Sequence, residues 1–553
     1  MNRYKPIHSG GENHRRPGVS RPLVAIVALL VTVAAIIYLH PRSGPTSKHG
    51  TALATPVTPS TRTSAVTIAP PAAHSPVAPP FNPAETAAWV AAENAKPGTK
   101  EWQLTKPATS DQIAGYADKV SVETGTAVQL YVTTTAPTYQ VQAFRMGWYG
   151  GDQGRLVWTG ATESGVAQAP CATASPSHMV SCSWIDPVTV STAGWAQGTY
   201  LFKLDSSDGW QSYIPLTLRD DTSHSAYLIN DSVTTWEAYN MWGGYDLYQG
   251  PTGGLANRAT MVSFDRPNTL GNGSGDFLGL ELPMISMMES HSLDVSYTTD
   301  VNLDENPRSV LQHRSFISLG HDEYYSLAMR QGLVDARNAG VNLVFLGANA
   351  VYRHIRLSPS GLGPDRVETD YKNAQADPLL GVDNADVTPW AWRDAPNNAP
   401  ESTLLGEMWQ CNPVQADMVI TDPGNWMYAG TGLTYGSRIA GIVGPEYDHF
   451  SPDVPNPGDV TVVASSPVDC NGLHSTADMT YYSAPSGAGV WDTGTIDWVG
   501  SVQSSCATCA PPNAATTITD NVLAAFGQGP AGVAHPSQAN MGGAPPSASS
   551  TTG

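Results

Sequence analysis

Charge is scarce in this chain. Only 14% of its 553 residues are Asp, Glu, Lys or Arg, against about a quarter in ordinary soluble domains. Basic side chains are scarcer still: 28 Lys and Arg face 48 Asp and Glu, for a net charge of -20. That excludes nucleic acid as a main partner, because phosphate backbones are gripped by a basic face. No G-x-S-x-G pattern occurs, so the serine elbow of an α/β-hydrolase has no carrier. No H-E-x-x-H occurs either, and the 14 histidines show no zinc spacing. The Gly-rich stretch 271–279 (GNGSGDFLG) fits neither the dinucleotide nor the P-loop pattern. It reads as a mobile loop near a site. Gly (52) and Pro (44) are abundant but follow no period, which excludes collagen.

What is present begins with location. Leu23 to Leu39 is one uncharged apolar run, at the short end of what spans a bilayer. Arg3, Lys5, Arg15, Arg16 and Arg21 precede it, while only Arg42 and Lys48 follow closely. The positive-inside bias predicts a cytoplasmic basic segment over 1–21, a single-pass transmembrane helix over 22–40, and the bulk of the chain outside the cell membrane. A cleaved signal peptide is the rival reading. Residues 41–97 are rich in Pro, Ala, Thr and Ser and predict an extended stalk; residues 527–553 predict a disordered tail for the same reason. All six cysteines lie on the outer side, where disulfides persist. Cys171 and Cys182 flank a polar loop and should pair. Cys411, Cys470, Cys506 and Cys509 can pair three ways, with Cys411–Cys470 and Cys506–Cys509 favoured.

Two folded parts lie between stalk and tail. Over 98–222, short alternating runs such as Ala127–Val132, Tyr139–Arg145, Thr199–Leu204 and Ser212–Leu218 predict an all-β, immunoglobulin-like sandwich. The aromatic segment Phe144 to Gly151 suits packing at the sandwich edge or a domain joint. Over 223–526, apolar strands alternate with helical stretches. Ser315–Leu319, a helix over Tyr325–Ala339, and Val341–Leu346 form a βαβ run. Continued alternation predicts an α/β fold, a mostly parallel sheet with helices on both faces.

Ligands of such sheets bind beyond the carboxyl ends of the strands. That rule selects Asn230, Asp231, Tyr297 to Asp300, His321 to Tyr324, and Asn349 with Tyr352 and Arg353. His321 and Glu323 would sit at a helix N-terminus, where a neutral imidazole beside a carboxylate suits a general base or a group bonded to a metal ligand. The plain alternative is a helix cap built on Asp322.

At His321-Asp-Glu-Tyr324, followed by residues 345–356 (FLGANAVYRHIR), the chain resembles the N,N-dimethylformamidase large (beta) subunit family. It looks most like membrane-anchored or secreted actinobacterial members. Thr299-Asp300, Trp392-Arg393 and residues 444–448 (GPEYD) add to the likeness, which covers most of 223–526. The resemblance implies hydrolysis of a small amide at a mononuclear iron held by two tyrosines and a glutamate, with a small partner subunit. Phenolate and carboxylate are hard ligands, and Fe(III) would polarise a carbonyl and acidify water. Carried over, it implies Tyr324 as one ligand, Tyr297 as the second and Asp386 as the carboxylate, with Glu407 a more distant rival. The family's usual Pro between His and Glu is Asp322 here.

The leading expectation is therefore a membrane-anchored extracellular hydrolase acting on a C–N bond. His321 and Glu323 would orient or activate water, and Asn349 or Arg353 would bind the carbonyl oxygen. Two other readings stand beside it: a non-catalytic surface module that binds an envelope glycan or a protein, and a glycoside hydrolase using paired carboxylates.

Overall fold

The computed structural model describes residues 85–109, 112–502 and 513–541. All belong to one compact unit, Pro76–Gly553. The run Leu23–Leu39, predicted as the anchor, lies outside the described residues, as do Cys506 and Cys509. Among the described residues no helix is long and apolar enough to cross a membrane.

The N-terminal part is built from two facing sheets. Ile113–Ala117, Ala127–Thr134 and Val188–Ser191 form one. The other runs Ser121–Glu123, Gln211–Arg219, Gly198–Ser206, Thr138–Met146, Gly154–Ser164. The period of two turns Val128, Leu130 and Val132 inward to meet Phe202, Leu204 and Leu216 in one apolar cluster. The disulfides Cys171–Cys182 and Cys411–Cys470 are both formed.

The rest is organised on a seven-stranded sheet: β1 (Tyr227–Asp231), β2 (Val295–Thr299), β3 (Ser315–Gly320), β4 (Asn342–Gly347), β5 (Thr461–Cys470), β6 (Leu473–Ser483) and β7 (Gly489–Asp492). Its order is β2-β1-β3-β4-β7-β6-β5. Ile317 and Val344 point to one side, against Ile285, Met288, Ile518 and Val522. Their neighbours Phe316 and Leu343 point to the other, against Met329 and Leu333. Both faces are thus covered, which is why these strands read as unbroken apolar runs.

The mostly parallel α/β fold predicted for this region does not form. The sheet is mixed, because β6 and β5 join it antiparallel. The smaller sheets are mostly antiparallel, as are all but one of the sandwich pairings. Two features cause this. After β4 the chain leaves the sheet through residues 348–460 and makes short ribbons there, among them Arg353–Ser360 with Gly363–Thr369. It then returns through a two-residue hairpin, Asn471-Gly472, with φ of 55° and 84°. Such a turn can only connect antiparallel strands.

Three local expectations also need correction. The stalk range contains a helix, Ala88–Asn94, whose Val90 is fully buried. The tail range is docked as far as Asn540: the Thr461 hydroxyl donates to the Gln538 carbonyl (2.8 Å), and the Val462 N–H donates to Asn540 Oδ1 (2.8 Å). These bonds cover the open edge of β5, an edge that would otherwise invite strand pairing. The Gly-rich stretch is no mobile loop. A Cβ on Gly273 would lie 2.1 Å from the Tyr213 carbonyl oxygen, so the loop is pressed against the sandwich.

The joint between sandwich and sheet is ionic at its centre. Arg145 and Glu289 are completely buried and paired. Tyr297 donates to Glu289 Oε1 (2.7 Å), Asn94 donates to Oε2 (3.0 Å), and Tyr149 bridges Arg145 to Glu93. The aromatic segment at 144–151 therefore serves the joint. Removing one partner strands the other charge in an apolar interior. Glu289→Gln is expected to cost about 3–5 kcal/mol in denaturant unfolding of the full chain. A loss under about 1 kcal/mol would show that the pair does not hold the joint.

Candidate functional site

β3 ends at Gly320, where φ is 61° and a Cβ would lie 2.6 Å from Leu280. The chain turns there and delivers His321, Asp322 and Glu323 beyond the carboxyl end of the strand. It does not enter a helix directly, as predicted. Tyr324–Ser326 first pairs, parallel, with Arg353–Ile355. The helix starts at Leu327, capped by Ser326, whose Oγ accepts the Met329 N–H (3.1 Å). The helix dipole thus acts on neither His321 nor Glu323. Asp322 is no cap either. It is buried and accepts hydrogen bonds from Ser318 (2.7 Å), Tyr325 (2.6 Å) and Asn230 (3.2 Å).

Glu323 is the hub of the site. Its Oε2 accepts the Tyr239 hydroxyl (2.7 Å), and its Oε1 accepts the Tyr248 hydroxyl (2.9 Å) and Arg353 Nε (3.1 Å). His321 Nε2 lies 3.5 Å from Oε2, close enough to pair by charge but without an aligned hydrogen bond. Burial opposes the charge on Glu323, yet His321 and Arg353 hold its carboxyl well below the usual carboxylate range. Burial also works against the charge on His321, but Glu323 and Glu446 outweigh it and lift the imidazole to about 9. The charges around His321 thus favour the protonated imidazole over the neutral one predicted from sequence. Glu446 receives Trp409 Nε1 (2.6 Å) and Asn349 Nδ2 (3.0 Å) on Oε2, and burial raises its carboxyl.

A second layer lies behind Tyr239 and Tyr248, whose rings stack at 4.7 Å. Tyr324 is fully buried, and its hydroxyl oxygen accepts Lys372 Nζ (2.7 Å). Burial first, and then the charge of Glu323, pushes the phenols of Tyr239, Tyr248 and Tyr324 well above 10. Arg353 is sandwiched by aromatics, 4.2 Å from the Trp390 ring centre and 4.7 Å from that of Tyr352, and it also donates to the Trp390 carbonyl.

The structure therefore brings together His321, Glu323, Tyr324 and Arg353. Asn349 stands beside them, its Nδ2 donating to Glu446 and its N–H to Asp448 (2.8 Å). The other two predicted residues lie elsewhere. Tyr297 serves the joint through Glu289. Asp386 is half-buried in a turn whose carbonyl is held by Arg356. Sequence reasoning missed Tyr239, Tyr248, Lys372 and Glu446. The Tyr- and Trp-rich run 236–249 and the GPEYD segment were the available signals.

The family model described as N,N-dimethylformamidase beta subunit-like, C-terminal, matches residues 140–510. The chain belongs to this family. The match starts inside the sandwich, earlier than the likeness read from residues 223–526, and so takes in the joint. No curated protein matches the chain. Among solved structures, a Paenibacillus sp. cycloisomaltooligosaccharide glucanotransferase complexed with cycloisomaltoheptaose covers 68% of this chain and 69% of its own, at 9% identity. Its TM-score of 0.16 carries no argument.

The iron implied by the dimethylformamidase likeness needs two phenolates and a carboxylate around one point. The carried-over set does not supply them. Tyr297 is engaged with Glu289, and the Tyr324 oxygen already accepts an ammonium. Tyr324, Tyr297 and Asp386 do not come together as that metal centre.

Several buried groups stay protonated over ranges where the unfolded chain loses its protons. His321 is raised from 6.5 to about 9, and burial lifts Asp448 from 3.8 to about 8 and Glu237 from 4.5 to about 7. In each window the folded state binds more protons, so stability falls as pH rises. The melting temperature should therefore decline from about pH 6.5 to 9, with His321 contributing roughly 3 kcal/mol. His321→Gln should flatten the upper part of that decline. A melting temperature that rises across this range would refute the assignment.

Proposed function

We propose that the chain hydrolyses the C–N bond of a small amide, with Glu446 as general base and His321 as general acid. The observation that carries this reading is the His321 imidazole beyond the end of β3, whose Nε2 lies 3.5 Å from Glu323 with no aligned hydrogen bond and which feels the charge of Glu446. Water gives its proton to Glu446 as its oxygen bonds to the carbonyl carbon. The tetrahedral intermediate then expels the amine, which leaves with the His321 proton. The products are a carboxylic acid and an amine. Glu323 keeps the imidazole charged and oriented, and Arg353 stands behind it as a source of positive potential. A positioned acid and base of this kind contribute about 10²–10⁴-fold each.

Family membership supports amide chemistry as the reaction class. The family's name is that of a subunit, so a small partner chain belongs to the same proposal. The two disulfides support work in an oxidising, extracytoplasmic compartment.

The test uses the full chain with N,N-dimethylformamide, formamide and acetamide, following amine or ammonia release. His321→Ala and Glu446→Gln should each lower the rate by about 10²–10⁴-fold. A wild-type chain that neither binds these amides in calorimetry nor releases amine would end the proposal.

A further inference from the structure

Lys372 is fully buried on the far side of Tyr324. Its ammonium donates to the Tyr324 hydroxyl oxygen (2.7 Å) and to Asp370 Oδ2 (2.8 Å). It also lies 4.4 Å from the ring centre of Tyr248 and 4.6 Å from that of Tyr324. Both faces are therefore used as cation–π partners. Asp370 fixes the backbone as well, since its Oδ1 accepts the Lys372 N–H (2.7 Å). Lys372 adopts a φ of 48°, a conformation that a residue with a side chain keeps only where its surroundings impose it. The protein thus holds a positive charge at one point by an ion pair, two rings and a strained backbone.

That point is where the dimethylformamidase likeness calls for a metal. A metal on Tyr324 needs the same oxygen lone pairs that the ammonium uses, and like charges at this distance repel strongly in a buried setting. Tyr239 and Tyr248 direct their protons to Glu323. We propose that Lys372 takes the place of the metal in this member of the family: its ammonium is the resident cation of the site, and the chain works without iron. Lys372 is then a positioning residue that acts through Tyr324 and Tyr248. The inference deepens the hydrolase reading and rests on it for its chemistry.

The experiment titrates ferric and ferrous iron into the full wild-type chain, reading bound metal and the visible tyrosinate-to-iron absorption. The expected result is far less than one iron per chain, no absorption band, and a melting temperature unchanged by a chelator. One equivalent of iron with a tyrosinate band would overturn the proposal. Lys372→Met and Tyr324→Phe should each lower the melting temperature, and the double variant should fall little further than Lys372→Met alone. Fully additive losses would overturn the Lys372–Tyr324 coupling. If Lys372→Met does not fold, the wild-type titration still decides. Turnover is measured separately in the same samples. An active iron-loaded chain would sink the lysine assignment and leave the hydrolase reading standing. An inactive iron-free chain would do the reverse.

Discussion

A carboxylate buried as deeply as Glu323 stays ionised only if the surrounding groups replace the water it has lost. An uncompensated buried charge costs so much that the group would take up a proton instead. Here two phenol donors, one guanidinium and one imidazolium make up the loss. Each of those partners is fixed in turn. Arg353 is held by its aromatic neighbours, Tyr239 and Tyr248 by their mutual stacking, and Tyr248 by the cation above its ring. The charge on Glu323 therefore sets the orientation of nearly every polar group in the site. It also explains why His321 carries a proton in an interior that would otherwise strip it away.

The same logic operates at the joint, with a different result. Arg145 and Glu289 are equally buried, but their partners come from both the sandwich and the sheet. A site charge orients chemistry; a joint charge fixes the placement of two layers. The helix Leu282–Ser290, which carries Glu289, also packs through Ile285 and Met288 in the cluster that includes Ile317 of β3. The sandwich is therefore mechanically continuous with the strand that delivers His321. A family match that begins within the sandwich is consistent with this continuity.

Much of the framework could be read from the sequence, because burial on both faces writes a plain signature. β3 and β4 are uninterrupted apolar runs, and the strand-end rule located His321, Glu323 and Arg353 from them. The return of the chain was also legible in principle, since Asn471-Gly472 between alternating runs is a hairpin signal. What could not be read was convergence across long separations. Tyr239, Lys372 and Glu446 reach the His321 loop from three different excursions, and no periodicity links them. Tyr297 failed as a ligand for the opposite reason. It lies on a strand end as expected, yet its hydroxyl turns to Glu289 in the joint. Strand register fixes where a residue sits, not which of two buried acids it will serve.

The acid excess takes on a different meaning once burial is considered. A formal charge of -20 treats every carboxyl as ionised. Yet Glu368 is completely buried and neither of its oxygens has a hydrogen-bond partner, while Glu407, Asp448 and Asp492 each leave one oxygen unpaired. Burial raises all four carboxyls, and the last three repel one another as well. Such groups cannot all be charged in a medium of low dielectric constant. Burial thus favours the neutral form of these carboxylic acids. Buried acids with a cationic partner include Glu323 with Arg353, Glu289 with Arg145 and Asp370 with Lys372. Two of those three pairs stand at the candidate site. Between such pairs, charges act at short range with little screening.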